Sequence, residues 1–336
     1  MKRCKFKIFL VCLIVVNTIT AACQQKSYIF LTGLAQGTTY HITYKSDKNI
    51  NYHVAIDSLL SDFDNSLSIY NPNSIISRIN RNDSAAKTDE HFKTAFLKSQ
   101  EVSEQTGGAF DITVSPLVNA WGFGFSKQSE INSLLIDSLL RLVGYQKIKL
   151  ENDRVVKADS RMMIDMNAIA QGYAVDLTAL FLESKGIKNY LVEIGGEIRT
   201  KGKNARGKTW TVGIDKPTDQ NEIPGQDLQS VLALKDKSIS TSGNYRAFYK
   251  KDGKKYGHII DPSTGYPVQH NVLSATVISD DCITADAYAT VFIVSGLEKA
   301  KEILKKHPEL DAYLIYTNEK GEYEVYCTGR IREMLQ

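Results

Sequence analysis

Six short stretches combine glycine or turn residues with polar side chains, each just outside an apolar run. They are Gln36-Gly-Thr-Thr39, Thr106-Gly-Gly-Ala-Phe-Asp111, Asp165 to Asp176, Glu193-Ile-Gly-Gly-Glu197, Thr241-Ser-Gly-Asn-Tyr-Arg246 and His258-Ile-Ile-Asp-Pro-Ser-Thr-Gly265. Glycine lets backbone N–H groups come close to a ligand, and amides at a helix start bind phosphate oxygens. One such stretch is ordinarily a plain turn. Six in one chain point to a large ligand wrapped by several loops. None has the GxGxxG or Walker spacing, so those two nucleotide folds are not indicated.

Asp286 and Thr290 lie four apart on a predicted helix and share a face. A carboxylate and a hydroxyl are hard oxygen donors, which suit Mg²⁺ better than zinc or copper. Spacing alone fits a blander reading better: Thr290 bonded back to a helix carbonyl, and Asp286 in a dipole-favoured first turn. Two protein ligands suffice for Mg²⁺ when a pyrophosphate and waters supply the rest. His258, beside Asp261, is either a base working near neutral pH or a structural histidine of the Pro-Ser-Thr-Gly turn. Tyr70 and Phe110 can stack on an aromatic ring, although 17 Tyr and 12 Phe make aromatics near a loop common. Ser240, Ser242 and Ser274 lack a nucleophile-elbow context. There is no CxxC or Cys/His spacing for zinc.

The elements that must hold these residues read as follows. Tyr28 to Tyr44 form two strand-like runs around Gly33–Gly37. Ile56, Leu59, Leu60, Phe63 and Leu67 predict an amphipathic helix over 53–68, broken by Asn71-Pro72. Phe92, Phe96, Ser99 and Val102 mark a second helix ending at Gly107-Gly108. Ile169 to Lys185 is a third, and Leu191 to Ile194 a buried strand. Trp210–Ile214, Val231–Leu234 and Val272–Ile278 are further strands. Ala285–Val294 and Glu298–Lys306 are two more helices, before a C-terminal hairpin of Ala312–Tyr316 and Tyr323–Cys327. Strands come in runs without regular helix alternation, so the class is α+β with mixed antiparallel sheets and packed helices.

The net charge of +3 over 336 residues is unevenly placed. Lys2, Arg3, Lys5 and Lys7 precede the apolar run Ile8 to Val16, then Ala21-Ala22-Cys23, which describes an export signal over 1–22. The run is too short for a bilayer span. Ala21-Ala22-Cys23 resembles a bacterial lipobox, with Cys23 the expected lipidation site, 23–27 a tether and 28–336 one domain. Removing 1–22 takes four positive charges and no acid, leaving −1. That argues against an electrostatic nucleic-acid footprint, which needs a clustered basic face. Of the five cysteines, Cys282 and Cys327 alone fall in the folded part, either paired or as two separate thiols.

Together, Asp165-Met-Asn-Ala-Ile-Ala-Gln-Gly-Tyr-Ala-Val-Asp176, Val192-Glu-Ile-Gly-Gly-Glu197, Gly257-His-Ile-Ile-Asp-Pro-Ser-Thr-Gly-Tyr-Pro267 and Ala285-Asp-Ala-Tyr-Ala-Thr290 resemble the FAD:protein FMN transferase family, ApbE. Gly37-Thr-Thr-Tyr40, Ser68-Ile-Tyr70 and Gly107-Gly-Ala-Phe-Asp111 follow the family's order. The resemblance implies an exported, lipid-anchored α+β protein with a flavin site between lobes. Its activity would be Mg²⁺-dependent transfer of FMN from FAD to a Thr or Ser hydroxyl of a partner flavoprotein, releasing AMP. The acceptor would belong to a membrane respiratory complex, on the periplasmic side of the cytoplasmic membrane.

Carried over by position, flavin contacts would be Gln36, Tyr70, Ala109, Phe110, Asp111, Asp165, Gln171 and Ile260. Metal ligands would be Asp286, Thr290, the Ala168 carbonyl and the Ala289 position, where some relatives have an acid and this chain could offer only backbone or water. His258, oriented by Asp261, would take the proton of the incoming hydroxyl. The rival readings are an FAD pyrophosphatase, with water as the nucleophile, and a non-catalytic flavin-binding lipoprotein, against which the Asp286/Thr290 pair speaks.

Overall fold

The computed structural model describes residues 27–125, 129–218, 225–244, 248–251 and 254–336. The signal, most of the tether and Cys23 lie outside them, as do Tyr245 and Arg246 of one glycine stretch.

β1 (Ser27–Ala35) and β2 (Thr38–Ser46) form a hairpin. Its two-residue turn puts Gln36 at φ 53° and Gly37 at φ 74°, the paired positive angles that match strand twist. α1 (His53–Leu67) buries Ile56, Leu60, Phe63 and Leu67 along one face. α2 (Ile75–Asn80) is capped by Ser74, and α3 (Glu90–Gln105) by Asp89, whose carboxylate accepts from Phe92 N. α4 (Ser115–Ala120), α5 (Ser133–Leu140), β3 (Ile148–Glu151) and β4 (Arg154–Lys157) follow. α6 (Asn167–Ser184) is buried on nearly every side, which fits a helix enclosed by other elements.

β5 (Tyr190–Ile194) and β6 (Glu197–Lys201) make a second hairpin, and β7 (Trp210–Asp215) with β8 (Leu228–Leu234) a third. β9 (Ser238–Gly243), β10 (Phe248–Lys251), β11 (Lys254–Gly257) and β12 (Val272–Ser279) lead into α7 (Cys282–Lys306). β13 (Asp311–Thr317), β14 (Tyr323–Cys327) and α8 (Gly329–Met334) end the chain. The two C-terminal helices read from the sequence are both present within α7, which breaks at Gly296, whose φ of 75° and ψ of 173° are not helical.

Eight strands form one sheet in the order β1-β2-β5-β6-β9-β12-β13-β14, every neighbour antiparallel. The class is α+β. Alternation along the strands splits the core in two. Ala275, Val277, Ala312 and Leu314 face the large core under α1, α3, α6 and α7. Ile278, Tyr313 and Ile315 face a smaller one closed by β7, β8 and Ile331 of α8. A third cluster, Leu117, Trp121, Ile136, Val143 and Ile260, supports the His258–Gly265 loop. Cys282 and Cys327 are both free thiols.

Candidate active site

The site is built where α6 crosses α7. Gly172 makes the close approach possible, since a Cβ there would lie 2.3 Å from the Cys282 carbonyl oxygen and 2.7 Å from Asp286 Cβ. Its N–H donates to Asp286 Oδ2 at 2.9 Å. One turn further along α6, Asp176 accepts from the N–H groups of Cys282 (2.9 Å) and Ile283 (2.8 Å) while pairing with Arg199 at 2.5 Å. Those amides are orphan donors of α7's first turn, so α6 supplies a cap for its neighbour beside α7's own cap, Asp281. The two bonds fix how far α7 slides past α6, and thereby where Asp286 and Thr290 sit.

Asp286 is deeply buried, in the second turn of α7 rather than the first. Ser240 Oγ lies 3.4 Å from Asp286 Oδ1 and 3.3 Å from Glu197 Oε1, so one hydroxyl serves two carboxyls. Glu197 Oε2 is buried with no hydrogen-bond partner. Loss of water raises the Asp286 pKa to about 7. Burial and then the charge of Asp286 push Glu197 well above the usual carboxylate range. Thr290 Oγ1 is 3.1 Å from Ser242 Oγ on β9, not bonded back to its own helix. A hard divalent cation fits this donor set: two crowded carboxyls, one with an orphaned oxygen, and a hydroxyl beside them.

Asp286, Thr290 and Glu197 open into a cavity of about 430 Å³, within the range of small-molecule sites. Ala168, Gln171, Gly195, Asp165, Tyr70, Ala109, Phe110, Asp111, His258 and Ile260 share its wall. Among the described residues lining it there is no lysine or arginine. Gln36 lines a second cleft of about 460 Å³ that shares Tyr70, Asn167 and Gln171 with the first. Both polar atoms of the Gln36 side-chain amide are buried without a partner, as expected of groups that await a ligand. Gln171 packs on Gly195, where a Cβ would fall 2.5 Å from its amide nitrogen. Tyr70 stands on the rim, 71% exposed and edge-on to Phe125 at 5.2 Å.

Three expected residues serve differently. Ala289 is fully buried in the large core and does not line the cavity, so it offers no ligand position. Asp261 Oδ1 accepts from Ser263 N and Oγ, closing the turn after His258. Asp111 lines the cavity, yet its carboxylate accepts from Thr113 N and Oγ and from Tyr145 N, which shapes the loop. His258 lies on the wall with its ring edge-on to Phe123 at 6.3 Å. Asp165 accepts from Asn167 N at the start of α6, and desolvation raises its pKa. Glu197, Ser240 and Ser242 were missed as site residues. Their signal was Glu197 behind Gly195-Gly196, since a buried carboxylate opening a strand needs a partner.

The ApbE family model matches residues 36–314. The FAD:protein FMN transferase of Haemophilus influenzae is 37% identical over 316 residues, covering 90% of each chain. That of Escherichia coli K12 is 36% identical over 288 residues, 83% of this chain and 80% of the relative. The solved flavin transferase ApbE from Vibrio cholerae superposes with a TM-score of 0.83 at 32% identity, across 92% of this chain and all of that one.

Proposed function

The chain belongs to the ApbE family and is a transferase, and from that premise we propose that it moves FMN from FAD onto a Thr or Ser hydroxyl of a partner flavoprotein, with Mg²⁺ and with release of AMP. The observation that carries this reading is the carboxyl pair Asp286 and Glu197, beside Thr290, at the wall of a cavity whose described lining holds no cationic side chain. Once ionised, those carboxyls would repel an anionic dinucleotide unless a cation that replaces their protons came with it.

Mg²⁺ held by Asp286 and Thr290, with the Ala168 carbonyl near, would supply charge neutralisation of the pyrophosphate. The remaining work falls to the chain. Phe110 and Ile260 give an apolar wall for the flavin ring, with Tyr70 at its mouth and Gln36 and Gln171 offering neutral hydrogen bonds. Glycine at 195 leaves room for the Gln171 amide beside the cavity. His258 accepts the proton of the incoming hydroxyl at an imidazole nitrogen, as the new oxygen–phosphorus bond forms and the bridging one breaks, with AMP leaving on its own phosphate. Asp261 holds the loop that carries His258.

The basic start, apolar run and Ala21-Ala22-Cys23 support export and lipid anchoring at Cys23, placing the enzyme outside the cytoplasmic membrane beside a respiratory flavoprotein acceptor. Incubation with FAD, Mg²⁺ and an acceptor peptide tests the reaction. An adduct of FMN mass on the peptide is expected; quantitative FMN and AMP with unmodified peptide would make the enzyme a hydrolase.

A further inference from the structure

Four elements lead from the flavin cavity or the adjoining Gln36 cleft to a second surface region. β1 goes from Ser27 to the Gln36 cleft, and α6 from the cavity to Ser184. β5 runs from Tyr190 to Gly195 at the cavity, and β6 from Glu197 back to Lys201. Register ties the far ends together: Tyr28 pairs with Lys45, Tyr44 with Tyr190, and Tyr190 with Lys201. The Lys45 N–H donates to the Asn189 carbonyl at 2.9 Å.

At that far end lies a surface cavity of about 490 Å³ lined by Lys45, Lys48, Lys185 and Lys188, with Asp47 as its single acid among the lining residues. Lys48, Lys185 and Lys188 are exposed and Lys45 half-buried. Lys185 lies over the Phe181 ring, 5.0 Å from its centroid. Lys203 adjoins them, its carbonyl accepting from Tyr28 Oη at 2.6 Å. Other acids nearby are engaged: Glu183 pairs with Lys201, and Asp236 accepts from Gly202 N. The first 26 residues join the body at this end, through Ser27. Four steps of chain separate Ser27 from Cys23, at most about 14 Å of reach.

We infer that this lysine face is a docking surface for an anionic lipid membrane, holding the body upright with the flavin cavity turned away from the bilayer. Charge complementarity and the point at which the leading segment enters both select that occupant. β1 spans about 30 Å at strand rise, which sets how far from the headgroups the Gln36 cleft stands. An acceptor hydroxyl would therefore be met above the surface rather than in it. Among the described residues no helix is long and apolar enough to cross a membrane. The orientation rests on the anchoring reading, whereas the charge of the face does not.

Residues 23–336 with Cys23→Ala keep the whole of the family match over 36–314, so they can be tested by vesicle sedimentation without any lipid anchor. Binding is expected to vesicles containing about a third phosphatidylglycerol, not to pure phosphatidylcholine, and to be lost in high salt. Each lysine near a charged surface contributes about fivefold, so K45Q/K48Q/K185Q/K188Q should weaken binding by roughly 600-fold and leave FAD turnover in solution unchanged. The smaller K48Q/K188Q pair should lose on the order of 10-fold, which keeps the test open if the quadruple variant misfolds. A control with exposed Lys299 and Lys305 changed to Gln should stay within about twofold of the parent. Equal binding by parent and lysine variants, or an equal loss in the control, overturns the proposal. Tight binding of inorganic phosphate alone, abolished by the same variants, would reassign the face to a soluble anion. Failure of Cys23 to acquire lipid would overturn the anchor and leave these outcomes standing.

Discussion

The two ends of β1, β5, β6 and α6 carry opposite kinds of ionisable group in opposite settings. One end gathers Asp286 and Glu197 in a buried wall without a described cationic side chain. The other displays Lys45, Lys48, Lys185 and Lys188 to solvent. Both would meet phosphates. The buried end must bind one phosphate group in one geometry, and paired carboxyls that accept a compact metal ion give fixed directions that lysine's flexible stem does not. The exposed end would meet a smeared, mobile charge, for which hydrated lysines suffice. Charge alone therefore says little about where an anionic substrate binds.

That contrast can be broken from either side. Asp286→Ala should lower FMN transfer by about 10³-fold or more, because several kcal/mol of cation-borne stabilisation go with it. Calorimetry should show Mg²⁺ binding lost while vesicle binding is kept. His258→Ala should cost about 10²–10⁴-fold, the usual range for a general base; a near-normal rate of peptide flavinylation would remove it from the mechanism. Gly172→Ala forces a methyl against the Cys282 carbonyl and should separate α6 from α7. A cost of about 1–3 kcal/mol, read as a lower Tm, is expected together with weaker Mg²⁺ binding.

A pH series sharpens the same point. Asp286, with a pKa pushed up to about 7 in the fold, and Glu197, pushed well above the usual carboxylate range by burial, hold protons there that the unfolded chain has already lost above its ordinary carboxylate range. The folded state then binds more protons, so stability without divalent cation should fall as pH rises from about 4 to about 7. Asp286→Asn should flatten that slope in a thermal melt. Mg²⁺ should raise Tm more at pH 8 than at pH 6, since it replaces the proton. The smallest effect belongs to the lysine end, where substitutions should leave soluble turnover within about twofold, measured as AMP released.

Much of this was legible beforehand, for identifiable reasons. The helices α1, α3 and α6 and the C-terminal hairpin follow from apolar spacing, and the C-terminal ends of α3 and α6 from Gly107 and Gly186. Asp286 and Thr290 read as a pair because helical spacing is local. Long-range partners were not legible. The Ser240 hydroxyl shared with Glu197, and the Asp176 cap on α7, join residues over 40 and over 100 positions apart. Ala289 failed for a local reason: one step from Tyr288 and Thr290 on a helix already turns a side chain into the core. β9 was missed because Ser238–Gly243 is rich in serine and reads as a loop, although it is a central strand whose hydroxyls serve the site.

The central claim is that the carboxyl-walled end transfers FMN rather than hydrolysing FAD. Mass spectrometry of an acceptor flavoprotein after incubation with FAD, Mg²⁺ and the enzyme tests it directly. The account predicts one added FMN mass on a Thr or Ser with one AMP released per adduct, absent with Asp286→Ala. AMP release at the same rate with no adduct on the acceptor would contradict it.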